Sequence, residues 1–259
     1  MDTARHSPAS DAAHQLVLAT DLDGTFLGGT PAQRDRLYRW LAATPDALLI
    51  FVTGRDPAFI ANLCASGAVP APRYVVGDVG TTIAEFRAGR LVPIAALESH
   101  IRIAWEGMAE RVRTRLSGVP GLWLQPAPFR YRLSYQYDSR FDPAALGVLD
   151  GLGVDTLTSH GCFVDILPRG VSKGPSLKRL IAHLGLMPER VLVAGDTLND
   201  LSMFETGLHG AVVGGAEAEL LAATADLPRA HRCRHPGAGG IIEAIHAHRL
   251  HPNPPEVPQ

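Results

Sequence analysis

Two aspartates stand two residues apart in Asp21-Leu-Asp-Gly-Thr25, directly after the apolar run Gln15 to Thr20. A strand that delivers carboxylates into a loop sets them at the carboxyl edge of a parallel sheet, where such sheets bind ligands. One carboxylate there can attack phosphorus as a nucleophile, while its neighbour donates a proton to the leaving oxygen and later activates water. Gly24 lets the chain turn tightly behind the pair. An Asp-x-Asp alone serves equally well to cap a turn, so the chemistry needs partners from elsewhere in the chain.

Three further segments offer them. Gly195-Asp-Thr-Leu-Asn-Asp200 follows the apolar Val191 to Ala194, and Asp196 and Asp200 together with Asp21 would supply the hard oxygens that Mg²⁺ prefers. The same run could cap a helix. Phe51-Val-Thr-Gly-Arg55 ends a strand with a hydroxyl and a glycine, so Thr53 and the amides from Gly54 onward could hold phosphate oxygens. Val171-Ser-Lys-Gly174 opens a helix near Pro175, and Lys173 would bring a point charge to a phosphate. A threonine ending a strand often bonds only backbone, and a single lysine is ordinarily a surface residue.

The elements that must position these residues are a strand before Asp21, a helix over Pro31 to Ala43, a buried strand over Ala47 to Val52, a helix over Asp56 to Ser66 and a strand at Tyr74 to Val76. Strands at Arg190 to Ala194 and His209 to Val213, with helices at about Leu198 to Glu205 and Ala216 to Ala223, repeat the pattern late in the chain. Alternation of this kind implies a parallel sheet covered on both faces, an α/β fold with a Rossmann-like core. The middle differs: a hairpin at Ile83 to Val92, a long helix over Leu97 to Leu116, an alternating strand over Phe129 to Asp138, a short helix over Pro143 to Leu152, and strands at Val154 to Thr158 and Cys162 to Leu167. In the alternating strand Tyr131, Leu133 and Tyr135 share one face, expected buried. Arg132, Ser134 and Gln136 share the other, expected wet. The domain reading is therefore a core made of 15–83 and 168–248, an inserted α+β cap over 84–167, and loose, disordered tails at 1–14 and, in the proline-rich end, 249–259.

The composition excludes several functions. The chain has 259 residues, 46% hydrophobic and 19% charged, with 24 Lys plus Arg against 26 Asp plus Glu and a formal charge of −2. That balance offers no basic field for nucleic acid or an anionic membrane surface. No apolar run approaches the roughly 20 residues that span a bilayer, and the first residues carry no apolar signal region, so a cytoplasmic location is expected. Cys64, Cys162 and Cys233 form no CxxC pair and are expected reduced. His231, His235, His246 and His248 are expected to be solvated near the tail.

The four blocks in their order, Asp21-x-Asp23, Thr53, Lys173 and Gly195-Asp196 with Asn199-Asp200, resemble the haloacid dehalogenase superfamily of phosphatases. The 120 residues from Thr53 to Lys173 match the place of the larger, type-two caps. More narrowly, Val79-Gly-Thr-Thr-Ile83, Arg132-Leu-Ser-Tyr135, Val164-Asp-Ile-Leu-Pro168 and Ala194-Gly-Asp196 through Glu205 resemble the sucrose-phosphate phosphatase family, from about Leu16 to His246. The resemblance implies a Mg²⁺-dependent sugar-phosphate phosphatase, with sucrose 6-phosphate or a similar disaccharide phosphate as substrate. It makes Asp21 the nucleophile and Asp23 the acid/base. Thr53, Gly54, Lys173 and Asn199 hold the phosphoryl group, and Asp21, Asp23 (through its carbonyl), Asp196 and Asp200 serve the metal. Arg132, Ser134 and Gln136 become candidates for contact with the sugar. The chain departs from the family pattern at Gly24, commonly Asn, at Cys162, commonly Lys, and at Arg132, where the family has a cap-strand lysine; these departures leave the sugar open. The oligomeric state is open as well, and a monomer is compatible with the sequence.

Two rival readings stand beside this one. Gly170-Val-Ser-Lys-Gly174 matches the G-x-S-x-G elbow of serine esterases, with Ser172 as nucleophile, although Pro168 and Arg169 interrupt the approach to it. A phosphohexomutase would share Asp21 and Asp23 and differ only in rebinding its intermediate.

Overall fold

The computed structural model describes residues 14–127, 129–159 and 161–257; the loose tail expected at the N-terminus falls almost wholly on residues outside that range. Eight strands form one sheet in the order β12-β11-β10-β1-β2-β3-β4-β5. They are β1 (Leu16–Thr20), β2 (Ala47–Val52), β3 (Tyr74–Gly77), β4 (Thr82–Arg87), β5 (Arg90–Pro93), β10 (Val191–Gly195), β11 (His209–Val212) and β12 (Ala230–Arg232). From β12 to β3 every pairing is parallel. All five residues of β1 are buried. Its Val17 and Ala19 enter one apolar cluster with Leu177, Leu180 and Ile181 of α5 (Lys173–Leu184). Its Leu16 and Leu18 enter another, with Leu37 of α1 (Pro31–Ala43) and Ile241 and Ile245 of α8 (Ala238–Ala247). A strand covered on both faces reads as a continuous apolar run, which is why β1, β2 and β10 are legible as such.

Helix α1 has the bounds expected from its sequence, fixed by Pro31 in its first turn and by a Thr30/Gln33 capping box. Helix α2 (Pro57–Ala65) starts at Asp56, whose carboxylate accepts from the backbone N–H groups of Ala58 and Phe59. Helices α6 (Leu201–Phe204) and α7 (Ala218–Ala223) are shorter than read.

A second, four-stranded sheet has the order β6-β7-β9-β8 and is antiparallel throughout. Its strands are β6 (Leu122–Leu124), β7 (Leu133–Tyr137), β8 (Val154–Ser159) and β9 (Phe163–Pro168). The insertion boundary differs from the expected 84, because β4 and β5 close the edge of the large sheet as an antiparallel hairpin. The expected long helix is two helices, α3 (Ala95–Trp105) and α4 (Met108–Leu116), broken at Gly107 with φ +70°. A left-handed residue cannot continue a helix.

Two more expectations fail for a shared reason, that another element covers what composition suggested was wet. Arg132 and Ser134 are buried, not solvated, since this face of the second sheet turns toward the large one. Residues 249–257 do not lie loose: Leu250 and His251 are buried, Trp40 Nε1 donates to the Asn253 carbonyl, and Arg36 donates to those of Glu256 and Val257. The histidines also have partners. His231 and His235 contact Glu243, His248 contacts His209, and His246 contacts the Pro255 carbonyl. The three cysteines are free thiols.

Candidate active site

Parallel pairing of β1 with β10 and β2 sets their carboxyl ends side by side, and the loops that follow carry Asp21, Asp196 and Thr53. α5 begins with Lys173, whose side chain is buried beneath those ends. Its ammonium donates to Asp21 Oδ1 at 2.8 Å, Asn199 Oδ1 at 2.7 Å and Asp200 Oδ1 at 2.6 Å. Residues that are far apart in sequence thus share one cation.

Each carboxylate has its own support. Asp200 Oδ2 accepts from the backbone N–H groups of Asp196 and Thr197, which shapes the loop that carries Asp196. Asp196 Oδ1 accepts from the Thr25 hydroxyl at 2.7 Å. Burial pushes the Asp21 carboxyl up to about 8, against the pull of Lys173. It pushes Asp196 up to about 6, against its bond from Thr25. Burial also works against charge on Lys173, yet the Asp200 and Asp21 carboxylates outweigh it and hold the ammonium above its ordinary value.

Asp21, Asp196 and Asp200 each offer an oxygen, and these atoms lie within 4.8 Å of one another. Three buried or half-buried carboxylates against one ammonium leave an excess of negative charge among hard oxygen donors, which fits a small divalent cation such as Mg²⁺. The Asp23 carboxylate is not in that group. It faces Arg55, which grips it with Nε at 2.7 Å and Nη2 at 2.9 Å while its guanidinium lies over the Phe59 ring. Thr53 is buried and its hydroxyl oxygen accepts from the Arg55 N–H.

A cleft of about 420 Å³ lies between the two sheets, with Asp21, Asp23, Gly54, Arg55 and Asn199 on one side and Arg132, Ser134 and Asp165 on the other. Arg132 crosses it. It reaches Asp78 at 3.3 Å and the Gly54 carbonyl at 3.2 Å on the large sheet's side, and Asp165 at 2.5 Å and the Ser134 hydroxyl on its own. Burial raises the Asp78 carboxyl, opposed by the Arg132 charge. Asp78 and Val79 both take positive φ, +51° and +57°, and their N–H groups bond the Arg55 and Thr53 carbonyls. Strain of this kind costs about 1–3 kcal/mol per residue and persists only where neighbours enforce it.

Of the residues singled out by sequence, Asp21, Lys173, Asn199 and Asp200 meet directly, Asp196 joins them, and Asp23, Gly54, Arg132 and Ser134 line the same cleft. Gln136 stands apart from it and accepts from Trp123 Nε1 at 3.1 Å. Arg55, Asp78 and Asp165 also shape the site, although sequence reasoning does not single them out. Arg55 follows Thr53-Gly54 directly, and Asp165 interrupts an apolar strand, a signal available in the sequence. Ser172 has extended backbone, φ −160° and ψ −179°, without the sharp turn an esterase elbow needs. No histidine among the described residues bonds its hydroxyl.

The parallel sheet with acidic residues at its carboxyl edge is the architecture of the haloacid dehalogenase-like fold. A haloacid dehalogenase-like hydrolase from Bacillus subtilis shares the fold, with a TM-score of 0.63 at 19% identity over 91% of this chain and 92% of that one. A family model described as Sucrose-6F-phosphate phosphohydrolase matches residues 14–249, and the chain belongs to that family. The sucrose-phosphatase from Synechocystis sp. PCC6803, solved with sucrose and phosphate, superposes with a TM-score of 0.81 at 27% identity, covering 91% of this chain and 98% of that one. Glucosylglycerol-phosphate synthase from Pseudomonas anguilliseptica is 39% identical over 89% of this chain, which spans 30% of that protein. Sucrose-phosphatase 1 from Nicotiana tabacum is 30% identical over 93% of this chain, which spans 61% of it. The chain thus covers less than two thirds of the length of these two relatives. Mannosylfructose-phosphate phosphatase from Agrobacterium fabrum is 29% identical, with 91% of this chain and 98% of that protein aligned. No helix among the described residues is long and apolar enough to cross a membrane.

Proposed function

We propose that the protein is a Mg²⁺-dependent phosphatase of phosphorylated glycosides, with sucrose 6-phosphate or a similar disaccharide phosphate as substrate, working in the cytoplasm. The observation that carries this reading is the Lys173 ammonium bonded at once to Asp21, Asn199 and Asp200. It supplies a fixed positive charge beside a carboxylate nucleophile, where a phosphoryl group must arrive. The relatives' names, sucrose-phosphatase, mannosylfructose-phosphate phosphatase and glucosylglycerol-phosphate synthase, share a phosphorylated glycoside.

In the first step an Asp21 oxygen attacks phosphorus and the bond from phosphorus to the sugar oxygen breaks. Asp23, as the acid, gives that oxygen its proton. In the second step the Asp23 carboxylate takes a proton from water, the water oxygen attacks phosphorus, and the bond to Asp21 breaks. Lys173, Asn199 and the Thr53 hydroxyl hold the phosphoryl oxygens. Asp21, Asp196 and Asp200 would hold Mg²⁺, with the Asp23 carbonyl as a further ligand, and the ion would supply positive charge to the phosphoryl group. We read the second sheet as a cap that selects the sugar and excludes water, with Arg132 and Ser134 on its working face.

A phosphate-release screen over monosaccharide, glycosylglycerol and disaccharide phosphates, with and without Mg²⁺, tests the reading. Metal-dependent release with free sugar as co-product supports it. Isomerised sugar phosphate without release would favour a mutase, and activity lost with Ser172→Ala but kept with Asp21→Asn would overturn the mechanism.

A further inference from the structure

Two histidines meet on the side of the large sheet away from the catalytic residues. His209 opens β11 and His248 directly follows α8, so the pair lies at the amino edge of the sheet, opposite the carboxyl edge that holds Asp21 and Asp196. Both are half-buried, and their Nδ1 atoms stand 3.1 Å apart. His248 Nε2 donates to the Gly210 carbonyl at 3.2 Å. That bond fixes the tautomer and leaves its Nδ1 with a lone pair facing His209. A straight N–H···N bond between imidazoles would set the ring centroids about 5.4 Å apart, yet these lie 4.6 Å apart with their planes at 52°. The two nitrogens therefore meet at a bend, where a hydrogen bond prefers a line. At a metal–nitrogen distance of about 2.0–2.1 Å, ligands with this separation subtend about 100° at the ion, between the octahedral and tetrahedral angles. Burial holds both imidazoles below their ordinary value, in the neutral form that binds metal. The titratable neighbours are Arg229, bonded to the Gly207 carbonyl, Glu189 beside His209, and His231, which lies edge-on to His248 and contacts Glu243.

We infer that His209 and His248 form a site for a transition-metal ion such as Zn²⁺, distinct from the carboxylate cluster, with water completing the shell. On binding, the proton between the rings moves from His209 Nδ1 to its Nε2, and the ion receives a lone pair from each Nδ1. Neutral imidazole suits Zn²⁺, Cu²⁺ and Ni²⁺, whereas Mg²⁺ prefers the oxygens at the other edge. The two edges of the sheet would thus sort metals by ligand chemistry. An ion here ties the start of β11 to the end of α8, the helix whose Ile241 and Ile245 pack with Leu16 and Leu18 of β1. Because the folded chain alone brings the two rings together, the ion stabilises the fold and takes no part in the reaction at Asp21. The inference stands independently of the phosphatase reading.

The test is thermal unfolding of the full chain in saturating Mg²⁺, with and without added Zn²⁺, for the wild type, His248→Ala and His209→Asn. Asparagine keeps an N–H that can donate to His248 Nδ1 but is a poor ligand for Zn²⁺, so it separates a hydrogen bond from a metal site. Zn²⁺ should raise the melting temperature of the wild type and of neither variant. Its affinity by isothermal titration should fall by about tenfold or more in each. The rise caused by Mg²⁺ should be the same in all three proteins. Anomalous scattering at the zinc edge, from wild-type crystals grown with equimolar Zn²⁺, should place the ion between the two rings, a readout that needs no variant. A Zn²⁺ effect of equal size in all three proteins, or an ion found only among Asp21, Asp196 and Asp200, overturns the site. So does a wild-type chain whose melting temperature ignores Zn²⁺, which would leave the pair as a bent hydrogen bond.

Discussion

Gly24 and Asp196, from opposite ends of the chain, stand so close that a Cβ added to Gly24 would lie 2.8 Å from Asp196 Cγ and nearer still to its Oδ2. Gly24 also has φ +74°, which a side chain disfavours. Gly24→Ala should therefore displace a proposed metal ligand as well as strain the turn. The expected outcome is weaker Mg²⁺ binding by isothermal titration and lower activity, partly restored by raised Mg²⁺, with a stability loss of about 1–2 kcal/mol for a side chain in the left-handed region. Unchanged Mg²⁺ affinity would show that Asp196 is not held where the turn needs it.

Asp21→Asn should abolish phosphate release, because an amide cannot form the acyl phosphate. Asp23→Asn should slow it by about 10²–10⁴-fold, the range for losing a positioned acid. Both variants should give native circular dichroism. Near-wild-type turnover by Asp21→Asn would sink the mechanism.

Metal-free protein should reveal the buried carboxylates through pH. Asp21 at about 8 and Asp196 at about 6 both lie above their ordinary 3.8, so the folded chain binds these protons more tightly than the unfolded one. Their contribution to stability is whole below about pH 4 and is lost as pH rises toward 8, each tenfold difference in proton affinity being worth about 1.4 kcal/mol. His209 and His248, which burial lowers, act in the opposite sense, so the measurement is the rise in melting temperature caused by Mg²⁺. It should be larger at pH 8 than at pH 5. Equal rises at the two pH values would contradict a metal site among these acids.

Arg132→Ala should cost stability before it alters specificity. Arg132 is buried between Asp78 and Asp165, and removing one partner of a buried ion network costs about 3–5 kcal/mol. Turnover of an aryl phosphate should fall together with that of a sugar phosphate, since the strut between the sheets is gone. A KM effect confined to the sugar substrate, at unchanged melting temperature, would instead make Arg132 a reader of the sugar.

The inner strands of the large sheet, β1, β2 and β10, were legible because they are buried on both faces and announce themselves as unbroken apolar runs, with Asp21, Thr53 and Asp196 after their ends, whereas the short, half-exposed β12 gave no such signal. Lys173 was legible as a residue but not as a hub, since carboxyl and amide partners on two loops far apart in sequence have no local signature. The second sheet was harder. Arg132 and Ser134 alternate with apolar residues as a solvated face would, and only the presence of another sheet across the cleft reverses that reading. The hairpin of β4 and β5 has the same texture whether it belongs to the large sheet or the insertion, which displaced the boundary. The proline-rich end was read from composition, which could not foresee that Trp40 and Arg36 would accommodate its carbonyls.

The adjacency of β1 to β10 also sets an order of events during synthesis. β1 can pair with β2 soon after both leave the ribosome, but its other neighbour arrives only after the whole second sheet has been made. The bond from Thr25 to Asp196 joins residues 171 apart in sequence, a separation at which closing the chain is slow. Until then the edge of β1 is an open strand, prone to wrong pairing. A nascent chain stopped before β10 would carry Asp21, Asp23, Thr53 and Lys173 without Asp196, Asn199 and Asp200, so it would be both inert and liable to aggregate.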